Sequence, residues 1–175
     1  MIPPQLLRRI DRFAAGRQRD YRLAFTAAEQ RFVGRALARV ALVLGAAIAV
    51  GALAVGAVLV LTLAGEPPAG VVWMRSIVVL GMTVSLLYFA WRASEGWYWA
   101  YSRMRLFSMI FPVITVTTAL LPGLYPDWMV IEQLLFSALI VVAAVLLNAR
   151  GLRAVFPAPP RRRTRTTPSE HALTR

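Results

Sequence analysis

The stretch VALVLGAAIAVGALAVGAVLVLTLAG, residues 40–65, contains no ionisable side chain. Its 26 residues, coiled at about 1.5 Å per residue, reach about 39 Å, more than the roughly 30 Å hydrocarbon core of a bilayer. A helix that is apolar all round must be surrounded by lipid or by protein interior. The excess length predicts a tilt, or a projection past the membrane surface. Within the stretch, Ala47/Gly51 and Ala52/Gly56 repeat small residues four apart, a spacing that lets two helix backbones approach closely. Packing inside the molecule is the simpler expectation for this face, and association with a second copy is the other.

Three further charge-poor blocks follow, at 71–91, 106–125 and 128–149. Residues 65–70, Gly-Glu-Pro-Pro-Ala-Gly, cannot continue a helix, and neither can residues 121–128, Leu-Pro-Gly-Leu-Tyr-Pro-Asp-Trp. The expected fold is therefore all-α: a polytopic membrane protein with four transmembrane helices, at about 40–64, 71–91, 106–125 and 128–149. An N-terminal amphipathic helix precedes them and a disordered tail follows. As units, these are a basic interfacial segment (1–37), a four-helix transmembrane domain (38–152) and a basic cytoplasmic tail (153–175). The second span is short, because only residues 76–91 separate Arg75 from Arg92, so a re-entrant path is the alternative for it.

Charge orients these spans. All 20 basic residues are arginine, against 8 acidic ones, for a net charge of +12. Nine arginines precede the first block, three (Arg92, Arg103 and Arg105) lie between the second and third, and seven follow the last. Arg75 alone falls on the other side. Positive loops stay cytoplasmic during insertion, so both termini are expected inside, in a bacterial inner membrane. The same pattern accounts for the charge without nucleic acid.

Composition excludes several chemistries. The chain of 175 residues is 58% hydrophobic, with a mean hydropathy of +0.60, well above the usual soluble composition. With no cysteine, disulfides, thiolate metal sites and iron–sulfur clusters are ruled out. The one histidine, His171, stands in the polar tail, which argues against haem or histidine-held zinc within the spans. No metal or cofactor is expected.

Residues 1–35 mix charge too early for a secretory signal. Leu6, Ile10, Phe13, Tyr21, Phe25, Ala28 and Phe32 recur at helical spacing among arginines. Pro3 and Pro4 suit a helix start, and Gly16 suits a break. One or two amphipathic helices on the cytoplasmic membrane surface, held by anionic headgroups, are expected; docking on a partner protein is the alternative. The Pro-, Arg-, Thr- and Ser-rich tail cannot bury apolar surface. Hydroxyls among its arginines, at Thr164, Thr166 and Thr167, would weaken lipid attraction if phosphorylated.

Ionisable groups inside spans are candidates for function. There are two, Arg75 and Glu132, both near the same face; the simplest expectation is that they pair and join the second span to the fourth, the alternatives being that each reaches separately to the surface or that Glu132 couples to protons or cations. Pro112 removes a hydrogen bond from the third span, and Thr115, Thr117 and Thr118 follow it, so this run is a candidate hinge or polar path. Trp91, Trp97, Tyr98, Trp99 and Tyr101 read as an interfacial aromatic belt, with a quaternary-ammonium or headgroup site as the sharper alternative.

No histidine base stands near a nucleophile and no glycine-rich phosphate loop follows a strand, so an enzyme is not expected. The leading expectation is a non-enzymatic accessory or scaffold subunit that packs against another membrane protein or against itself. The alternative is a component of an oligomeric transporter or channel. A lipid-headgroup-binding protein or membrane enzyme comes third.

Overall fold

The computed structural model describes residues 21–121, 123 and 125–159. Four long helices form a ring: α1 (Ala27–Leu63), α2 (Gly70–Ser94), α3 (Tyr98–Ala119) and α4 (Asp127–Asn148). A one-and-a-half-turn helix, α5 (Arg150–Val155), closes the described chain. Short connections make each helix the antiparallel neighbour of the next, and α4 returns to pack on α1. The turns at 64–69 and 120–126 lie at one end, here called distal. Residues 21–26, the turn at 95–97 and α5 lie at the basal end.

Among the described residues, three helices are long and apolar enough to cross a membrane: α1, α2 and α4. The fourth, α3, differs from the expected span at 106–125 at both ends. It starts at Tyr98, so Arg103 and Arg105 occupy its first turns, and it stops at Ala119. From Leu106 to Ala119 its uncharged part measures about 21 Å at the helical rise, short of a bilayer core. The wide loop expected at 92–105 shrinks to a tight turn at Glu95–Trp97. Its centre, Gly96, has φ +91, and a Cβ there would stand 2.4 Å from the Leu23 carbonyl oxygen. Only glycine fits both the backbone and the space.

The expected boundary between an interfacial helix (1–37) and the transmembrane domain is absent. α1 runs unbroken for 37 residues from Ala27. Thr26 caps it: its Oγ1 accepts from the Glu29 amide at 3.4 Å, and the Glu29 carboxylate accepts from the Thr26 amide at 2.9 Å. The Thr26 amide and the Thr26 hydroxyl, both donating to that carboxylate, hold the Glu29 carboxyl below the usual carboxylate range. Tyr21 and Phe25 stand outside the helix, because residues 21–26 run extended along the basal turn. There the Leu23 amide donates to the Gly96 carbonyl at 2.9 Å. The expected stripe at Leu6, Ile10 and Phe13 lies outside the described residues, as do Pro3, Pro4, Gly16 and the tail hydroxyls.

Residues 153–156, expected to belong to the tail, continue the fold instead. α5 turns Leu152 and Phe156 into the core, where they are 1% and 4% exposed. Phe156 stacks on Tyr101 with centroids 4.3 Å apart and meets Phe25 edge-on at 5.4 Å. These contacts join the extended N-terminal strap, α3 and the C-terminal segment in the main core cluster, which also holds Leu44, Leu86, Met104 and Ile140. A smaller cluster at the distal end holds Val58, Val72 and Met129.

Candidate functional site: a charged pair across the bundle

Arg75 and Glu132 each stand in the second turn of their helix at the distal end. Because α2 and α4 lie on opposite sides of the ring, a bond between these residues crosses the bundle instead of stitching neighbours. Arg75 Nη1 donates to Glu132 Oε2 at 2.8 Å, with the side chains 8% and 10% exposed. The Tyr125 ring lies 5.6 Å from the guanidinium carbon, close enough for cation–π attraction. The pair is nearly dry and electrically neutral, and acts as a cross-brace.

Beside the brace are buried polar atoms that have no hydrogen-bond partner among the described residues: Arg75 Nη2, both amide atoms of Gln133 and the Ser137 hydroxyl. Gln133 and Ser137 are four apart on α4 and share its inward face. The sequence does carry a signal for them, two polar residues one helical turn apart in an apolar block.

The proline–threonine run does not converge on a path. α3 continues through Pro112, which is buried. Thr115 is buried, Thr118 half-buried and Thr117 exposed. Each hydroxyl donates to a carbonyl of its own helix: Thr115 to Phe111, Thr117 to Val113 and Thr118 to Thr115, at 2.8–3.0 Å. Threonines satisfied in this way offer no chain of free donors.

The small residues of α1 divide between two faces. Ala47 and Gly51 turn inward, and a Cβ on Gly51 would sit 3.5 Å from Leu80. Ala52 is exposed and Gly56 half-exposed, on the outside of the bundle. The reason is rotational: Ala47 to Ala52 is five residues, about 140° around the helix.

The aromatic group also separates. Trp99 and Tyr101 are each 2% exposed, inside the core instead of in an interfacial belt. The Tyr101 hydroxyl donates at 2.8 Å to the carbonyl of Leu147, near the end of α4 where helical amide partners run out. Trp91 is 47% exposed. Tyr98 meets Tyr21 edge-on. Trp97 has two guanidinium carbons over its ring, Arg22 at 5.5 Å and Arg92 at 5.2 Å, and Arg92 also bonds Glu95. The aromatic positions a cation ligand would need are thus filled by the protein's own arginines. Among the described residues no three His, Cys, Asp or Glu side chains gather as a metal site. No protein-family model, curated protein or solved structure matches the chain.

Proposed function

We propose that the protein is a non-catalytic accessory subunit of a larger complex in a bacterial cell membrane. On this proposal the helices cross four times, and both ends of the chain are cytoplasmic. The 22 residues of α3 give about 33 Å of helix, enough to cross if Arg103 and Arg105 reach back to the surface. The observation that carries the accessory role is a stripe on the outside of α1. Gly45, Ala49 and Ala52 are exposed and Gly56 is half-exposed, at spacings of four, three and four that keep them on one line. A Cβ added at Gly45 or Gly56 would touch nothing within 4 Å. Such a flat strip accepts another helix at close range.

The test is purification of the intact protein from its host in mild detergent. A stoichiometric membrane partner is expected, and it should be lost when Ala49→Leu and Ala52→Leu are combined. A monomer without a partner would overturn the accessory role.

The exposed arginines of the basal end, Arg31, Arg35, Arg39, Arg150 and Arg153, suit anionic headgroups. A cavity of about 460 Å³ there is lined by Arg105, Arg153, Tyr98 and Ser102 and by no carboxylate. Transport is the second candidate. It is favoured by the partnerless Gln133 and Ser137, which would suit a hydrated interior. It requires substrate flux in vesicles that is lost in Glu132→Gln.

A further inference from the structure

The junction between α2 and α3 is the loosest in the ring. Toward the distal end it leaves a cavity of about 240 Å³. Its walls are mainly apolar, with Met74 and Val78 from α2 and Phe111 and Ile114 from α3. Met74, Val78 and Ile114 are 65%, 49% and 55% exposed, so the rim belongs to the outer surface of the bundle, where a membrane protein meets lipid chains.

One wall residue is charged, and it is Arg75. Its Nη1 is taken by Glu132, while its Nη2 is buried and has no hydrogen-bond partner among the described residues. A donor shielded from water and left unmatched is unfavourable. The Glu132 carboxylate at 2.8 Å already neutralises the guanidinium, so the missing group is an acceptor and not an anion. Depth narrows the choice. Arg75 is the sixth residue of α2, about 7 Å along the helix from its start, near the boundary between the headgroup layer and the hydrocarbon core. Ester carbonyls of glycerolipids lie at that level, with their chains running inward.

We propose that this cavity is a lipid site. One acyl chain of a glycerolipid lies in the α2–α3 groove along Val78 and Ile114, and its ester carbonyl oxygen accepts a hydrogen bond from Arg75 Nη2. The site does not depend on the accessory role, since a subunit with no partner protein would still hold the lipid.

The test is native mass spectrometry of the full chain, delipidated in detergent and titrated with three lipids of equal chain length. These are diacyl phosphatidylcholine, its dialkyl ether analogue and diacyl phosphatidylglycerol. The expected result is one tightly held diacyl lipid of either headgroup, with the ether lipid at least about tenfold weaker, the worth of a hydrogen bond from a charged donor. Val78→Trp and Ile114→Trp, from facing helices, should each reduce diacyl retention by a similar factor. Equal retention of ester and ether lipids would overturn the proposal, as would a requirement for the anionic headgroup or no retained lipid at all. The ester–ether comparison uses the unaltered chain, so it decides the matter whatever the variants do.

Discussion

The Arg75–Glu132 pair shows how little of a buried charge's role lies in its own attraction. Removing two charges from water is costly, and their mutual gain roughly offsets that cost. Removing one partner strands the other. Arg75→Met and Glu132→Met are each expected to destabilise the protein by about 3–5 kcal/mol, while the double substitution should return close to the parent. Unfolding followed in detergent for the parent, the singles and the double reads this directly. If the double variant is as unstable as the singles, the two side chains are not coupled across the bundle. A second residue has no such compensation. Gly96→Ala demands a left-handed backbone from an L-residue and places its Cβ 2.4 Å from the Leu23 carbonyl. A loss of about 2–3 kcal/mol is expected. It should appear as faster tryptic cleavage after Arg22, because the displaced partner is the strap that holds Arg22 against Trp97.

At the scale of elements, the start of α1 should respond to pH. The capping bonds from Thr26 lower the Glu29 carboxyl below its ordinary value. Such a group contributes stability at pH above its unfolded value and loses it as pH falls through the folded one. Protection of the Glu29 and Gln30 amides against exchange, taken as the intrinsic rate at each pH divided by the observed one, is therefore expected to fall on acidification in the parent. Thr26→Ala should already be poorly protected at neutral pH, and its protection should respond less to acid. Tyr101→Phe tests a second bond at the same basal end: it leaves the buried Leu147 carbonyl without its donor, an expected cost of about 1–3 kcal/mol. The existence of the helices was legible in the sequence because long uncharged runs and proline–glycine turns are local signals. Their starts were not. Hydropathy marks where a helix turns apolar, at Val40 or Leu106, whereas the helix itself begins where a cap or a turn allows, at Thr26 or Trp97. Nor could spacing separate core aromatics from surface ones: Trp99 and Tyr101 are placed by Phe89, Phe156 and Leu147, partners distant in sequence. The juxtaposition of Arg75 with Glu132 was foreseeable because few charges were available to each other. For the inward turn of Gln133 and Ser137 the sequence offers only their spacing, two polar residues one helical turn apart in an otherwise apolar block.

For the whole molecule, the open question is how many helices cross, and the chain's chemistry makes it answerable. α1, α2 and α4 have the required length and apolarity. α3 begins among arginines, yet it packs between α2 and α4 like any other member of the ring. If all four cross, the distal turn at Ala69 and the basal helix at Ala154 lie on opposite sides of the membrane. If α3 turns back without crossing, α4 runs the other way and Ala154 joins Ala69 on the same side. Both residues are exposed, and the chain has no cysteine to give background. Ala69→Cys and Ala154→Cys can therefore be labelled singly with a membrane-impermeant maleimide in whole cells. Ala69→Cys is expected to react at once, and Ala154→Cys only after the membrane is opened. The asymmetry in arginine placement is the ground for this expectation: moving Ala154 outward would carry Arg150, Arg153 and the arginines beyond them across the membrane as well. Labelling of both positions from outside would reduce the crossings to three and put the start of α4, with Glu132, on the opposite side of the membrane from Arg75, so the brace between α2 and α4 would be lost with it.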